Sequence, residues 1–103
     1  MIMLNVEIRA KPEGREELLE ALRALFDELS REATFRGASV HTTDEEPDLI
    51  VVFEQWDESR EVFVWELQSH PCYQPFLAVF ERVGVSRKVH WLDLRYSWPA
   101  AAK

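Results

Sequence analysis

Leu49-Ile50-Val51-Val52-Phe53-Glu54-Gln55-Trp56 opens with five apolar residues in succession. A run so short and so apolar predicts a β-strand covered on both faces. A chain of 103 residues has little material to cover two faces of a sheet. The simplest cover for the second face is another copy of the chain.

Working outward, Asp44-Glu45-Glu46-Pro47-Asp48 is a polar hairpin turn, and a strand over about residues 36–43 precedes it, entered through Gly37. Near the start, Ile2, Leu4, Val6 and Ile8 alternate with Met3, Asn5, Glu7 and Arg9, which predicts a strand with one strongly apolar face. Lys11-Pro12-Glu13-Gly14 ends it in a turn. Leu18, Leu22, Leu25, Phe26 and Leu29 then recur at three- and four-residue steps, so an amphipathic helix is expected over about residues 14–32. Downstream of the apolar run, Asp57 or Ser59 can cap a helix over about residues 59–69. Ser69-His70-Pro71 separates it from a helix over about residues 71–83, whose stripe is Cys72, Tyr73, Phe76, Leu77, Phe80 and Val83, with Gly84 as its stop. A last strand is expected over about residues 86–96, and residues 97–103 form a loose tail on which Trp98 can dock.

The element order is β-α-β-β-α-α-β. That is the plan of a ferredoxin-like α+β sandwich: one domain over residues 1–103, core about 2–96, with a four-stranded antiparallel sheet and helices on one face. Met3 and the second apolar face of residues 49–53 fall on the bare side, so a homodimer through the open sheet face is expected.

Composition narrows the partners. A net charge of −7 lacks the basic face that nucleic acid requires and disfavours anionic lipid. The single cysteine, Cys72, excludes an internal disulfide and a thiolate metal cluster. No apolar run approaches the ~20 residues of a membrane span, and no signal-peptide pattern opens the chain, so a cytoplasmic protein is expected. Three scattered histidines offer no metal-ligand spacing, and three unclustered glycines offer no nucleotide loop.

The assembled segments resemble the antibiotic biosynthesis monooxygenase family of the dimeric α+β barrel superfamily, over about residues 4–94. Glu7 to Gly14 is similar to the family's passage from first strand to long helix, with Glu13 as one extra residue between Pro and Gly. Gly37 is similar to the glycine that opens the second strand. Pro47 through Trp56 resembles the family's turn and its strand ending in Glu-x-Trp. Leu67-Gln68-Ser69-His70 resembles a segment carrying leucine, Ser or Thr, and nearby histidine or proline. The resemblance implies one of three things: a cofactor-independent monooxygenase of small phenols or quinols, a non-catalytic ligand-binding or structural dimer, or a haem-binding or haem-degrading protein. Haem-degrading relatives use an Asn on the first strand with a Trp and a His on the helices. Those positions fall here on Val6, Glu66 and Phe76, so that triad is absent. No cofactor is implied by the oxygenase reading.

Glu66 is the first candidate for chemistry. On a helical wheel it falls between Val62, Phe63 and Leu67, where it is either a pocket base with a raised pKa or a carboxylate reaching water at the rim. Many relatives carry a histidine at that position. His70, four residues on, is either its proton partner or a helix-end residue before Pro71. Trp65, Tyr73, Phe76 and Phe63 are the candidate walls of a substrate pocket, with core packing as their alternative reading. Glu54 and Trp56 are read as a strand-end ion pair and packing. His90, Trp91 and Arg95 on the final strand reach either a ligand or the dimer partner, with the interface as the preferred reading.

Overall fold

The computed structural model describes residues 1–101, with the side chains of Leu67 and Gln68 also outside the described set; Leu67's expected place on an apolar face therefore lies outside it. The elements are β1 (Ile2–Ala10), α1 (Arg15–Leu29), β2 (Phe35–Thr42), β3 (Leu49–Trp56), α2 (Arg60–Ser69), α3 (Tyr73–Val83) and β4 (Gly84–Leu92). One antiparallel sheet has the order β2-β3-β1-β4, so the two most apolar strands are central. This is the ferredoxin-like α+β fold.

Strand periodicity sorts the residues between faces. Leu4, Val6, Ile8 and Ala10 of β1 join Ile50, Val52 and Trp56 of β3 beneath the helices. Leu18, Leu22, Leu25 and Leu29 cover them from α1, and Tyr73 and Phe76 from α3. Leu18 and Ile50 are both 0% exposed and mark the centre of the layer. The opposite face carries Met3, Asn5 and Glu7 beside Val51 and Phe53. No element of the protomer covers Phe53, which is 42% exposed. Strand β3 is thus buried on both faces only at some positions of the single protomer.

Local chemistry places the boundaries. Glu13 adopts φ 70°, so the extra residue in the β1–α1 turn is absorbed in the left-handed region. Gly37 has φ 152°, and the β2–β3 register shifts between Phe35 and Gly37, a bulge that a side chain would strain. Ser59 caps α2 by accepting the Val62 N–H at 3.2 Å. Gly84 turns α3 directly into β4; a Cβ there would strike the Phe80 ring and lie 2.6 Å from the Phe80 carbonyl oxygen. Strand β4 ends at Leu92 rather than near residue 96. The β1–β4 pairing stops with Leu92 opposite Met3, beside the end of β1 at Ile2. Trp98 is 83% exposed and does not dock.

Candidate active site

Between the sheet and the helices lies an apolar cavity of about 90 Å³. Phe63 of α2, Tyr73 and Phe76 of α3, and Val89 and Trp91 of β4 bound it, with Leu4, Val6 and Val52 as its floor. Two charged side chains reach this lining, Glu54 from β3 and Arg87 from β4.

Alternation puts Glu54 there. It shares a face of β3 with Val52 and Trp56, so the backbone aims a carboxylate into the apolar layer. Trp56 Nε1 donates to Glu54 Oε1 at 3.1 Å. Burial pushes the Glu54 carboxyl above the ordinary carboxylate range, against the smaller opposing pulls of the Trp56 hydrogen bond and the Arg87 charge. This corrects the ion-pair reading of Glu54: its partner is an indole N–H. On β4, Arg87, Val89 and Trp91 lie opposite Ile8, Val6 and Leu4, and therefore point inward. Trp91 accordingly lines the cavity, as its ligand alternative expects, while His90 faces the open side and bonds Glu7 at 2.9 Å.

Tyr73 opens α3 and is 9% exposed. Burial first, and then the nearby Glu54 carboxylate, push its hydroxyl pKa far up. It stays protonated at all physiological pH: as a hydroxyl it donates to a neutral or anionic oxygen and accepts only from a group that carries a proton. The aromatic walls are braced in a chain: Trp56 to Phe63 at 5.3 Å between ring centroids, and Phe63 to Trp91 at 5.8 Å, edge to face.

The residues expected from sequence separate into two groups. Phe63, Tyr73 and Phe76 come together around the cavity. Trp65, 72% exposed, points away from it. Glu66 and His70 border a separate narrow cleft with Glu32, which shares Leu29, Phe63 and Tyr73 with the cavity. Glu66 is exposed; its carboxyl is shifted up by partial desolvation, then by the Glu58 and Glu32 carboxylates, with His70 pulling the other way. The His70 side chain does not engage the Glu66 carboxylate. Its Nδ1 accepts the Cys72 N–H at 3.2 Å, which leaves the proton on Nε2, 2.7 Å from Glu32 Oε1.

Sequence reading missed Glu54 and Arg87. The signal for Glu54 was present: it lies two residues from both Val52 and Trp56. The apolar run before it hid which face was which, because both faces of residues 49–53 are apolar. Arg87 carried no signal, since alternation in residues 86–92 is weak. Among the described residues, no three His, Cys, Asp or Glu side chains are grouped to hold a metal, and no helix is long and apolar enough to cross a membrane.

A model of the antibiotic biosynthesis monooxygenase family matches residues 1–71. Among solved structures, PA3566 from Pseudomonas aeruginosa is 23% identical, with a TM-score of 0.80 over 92% of this chain and 94% of that one. A protein titled antibiotic biosynthesis monooxygenase is 16% identical, with a TM-score of 0.78 over 93% of this chain and 100% of that one. Rv0793 from Mycobacterium tuberculosis is 16% identical, with a TM-score of 0.78 over 93% of this chain and 96% of that one. At these identities the likeness is one of fold. No curated protein matches significantly.

Proposed function

The chain belongs to the antibiotic biosynthesis monooxygenase family, and we propose that it is a cofactor-independent monooxygenase of a small phenol or hydroquinone, working as a homodimer. One observation carries this reading: a single carboxylate, Glu54, half-buried and partly desolvated at the lining of a cavity walled by aromatic rings. A desolvated carboxylate is a stronger base than one in water, and it lies where a phenol hydroxyl enters.

The reaction needs only dioxygen as co-substrate. Glu54 takes the hydroxyl proton, and the anion spreads its charge onto the ring. A ring carbon bonds to dioxygen, which is reduced as the ring is oxidised. The O–O bond and the ring C–H bond at that carbon then break: one oxygen stays as a carbonyl, and the other leaves as water with the proton returned by Glu54 and the former ring proton. For a hydroquinone the sum is hydroquinone plus dioxygen giving hydroxyquinone plus water. The protein supplies proton transfer, orientation by Phe63, Phe76 and Trp91, and exclusion of water.

Size restricts the substrate. A cavity of about 150 Å³ holds one benzene ring, and this one is about 90 Å³. A single ring is therefore the upper limit, and its entry requires the walls to yield. Helix α2 is the wall best able to do so, because Phe63 is its one fully buried described side chain. Haem is a poor fit: Val6 and Phe76 are buried apolar residues with no ligating atom, and Glu66 lies outside the cavity.

Glu66 and His70 rank behind Glu54 as candidate base and partner, because water reaches Glu66 and His70 is engaged by Glu32. Oxygen uptake with single-ring hydroquinones tests the order, using wild type, Glu54→Gln, Glu66→Gln and His70→Ala. Loss of ~10²-fold or more in Glu54→Gln alone is expected of a general base. Equal rates in all four proteins would remove Glu54 from the chemistry. No uptake in any of them would favour the ligand-binding dimer.

A further inference from the structure

The cavity opens at β4. Val89 is 38% exposed, although it stands on the inner side of that edge strand and lines the cavity. The helices cover β1 and β3 and leave this margin open. Arg87 bounds the cavity on one side of Val89 and is exposed to solvent. On the other side is Trp91, and the guanidinium of Arg60 lies over its ring, 4.5 Å from the centroid. Arg87 and Trp91 are four residues apart on one strand, about 13 Å, so the two cations flank the opening.

Of the nine arginines, these two and Arg95, which lies beyond β4, form no ion pair among the described residues. Six others, Arg9, Arg15, Arg23, Arg31, Arg36 and Arg82, each hold a carboxylate. The chain has 19 acidic residues against 12 basic ones, so carboxylates are in surplus. Among the described residues neither Arg60 nor Arg87 takes one; each lies over an aromatic ring instead, Arg87 at 5.9 Å from the Phe80 centroid. An acidic protein thus presents two guanidinium groups without a carboxylate partner beside the exposed β4 margin of its apolar cavity. Such groups raise the local concentration of an anion and bind a carboxylate through paired N–H donors.

The interior has the opposite character. Glu54 would repel an anion that entered deeply, and it accepts a proton from a neutral hydroxyl. A ligand satisfying both ends is neutral where it leads and negative where it trails. Resting on the oxygenase reading above, we infer that the substrate is a single-ring aromatic hydroxy acid, with its hydroxyl directed to Glu54 and its carboxylate held at the mouth by Arg87 and Arg60.

Paired ligands test this: 2,5-dihydroxybenzoate and its amide, which differ in charge and little in shape. Binding is read by quenching of tryptophan fluorescence at low ionic strength, with oxygen uptake recorded separately. Wild type should bind the acid at least tenfold more tightly than the amide, and the ratio should shrink as salt is added. Arg87→Met should reduce the ratio to near one with the amide's affinity unchanged, which also shows that the variant is folded. Arg60→Met should reduce it partly. Arg95→Met, in the segment beyond β4, should leave it intact. Equal affinities in wild type, an undiminished ratio in Arg87→Met, or no binding of either ligand would each overturn the inference. A ratio that persists without oxygen uptake would sink the oxygenase reading and leave the anion site standing. Uptake of both ligands with no preference would do the reverse.

Discussion

Glu54→Gln keeps an acceptor oxygen for the Trp56 Nε1–H and removes the charge that burial opposes. The sign of its effect on stability follows from linkage. The folded-state pKa of Glu54 is raised, so the folded protein binds this proton more tightly than the unfolded chain does. The stabilisation from protonation is full below the ordinary carboxylate pKa and is lost as pH rises through the raised value. Glu54→Gln should therefore melt at a higher temperature than wild type at neutral pH, and the difference should close on acidification toward pH ~4. Calorimetry across pH reads this directly. A variant less stable than wild type at pH 7 would mean that the carboxylate is satisfied where it lies. At this scale the sequence was partly legible. Phe63, Tyr73 and Phe76 were found because helical periodicity turns them inward. Glu66 was placed near the centre of an apolar helix face, yet α2 exposes Val62, Trp65 and Glu66 together, a rotation that periodicity over ten residues does not resolve.

Among the described side chains, α2 has one that is buried. It buries Phe63 and is started by Ser59, whose hydroxyl accepts the Val62 N–H. Ser59→Ala should cost about 0.5–2 kcal/mol, with the loss confined to α2: faster amide exchange over residues 60–69 and little change in β1 or β3. Uniformly faster exchange would show that α2 is bound into the global unit. Helix α2 supplies one wall of the cavity through Phe63. The elements themselves were readable: each strand and helix expected from sequence is present. The chief difference is β4, which stops at Leu92 opposite Met3, beside the end of β1, a limit invisible to the alternation of residues 93–96.

For the whole molecule, the open sheet face is the feature that one protomer leaves unfinished. Met3, Val51 and Phe53 lie together there, and the edge of His41 meets the Phe53 ring at 5.7 Å. If a second copy covers this face, Phe53→Asp should convert a micromolar dimer into a single protomer by sedimentation, with its secondary structure kept; a wild type that already sediments as one protomer would rule the dimer out. The apolar run at residues 49–53 disclosed this from sequence, because one sheet layer cannot hide both its faces. The cavity was not disclosed, since its polar ends come from β3 and β4, strands that touch only through β1. The central claim concerns what that cavity does with oxygen. It is tested by supplying ¹⁸O₂ and a single-ring hydroquinone to protein freed of metals by chelation, quenching with dithionite, and weighing the trihydroxy product. One ¹⁸O atom per product molecule in wild type, with the yield lost in Glu54→Gln, is the predicted result. Unlabelled product accompanied by hydrogen peroxide would contradict it.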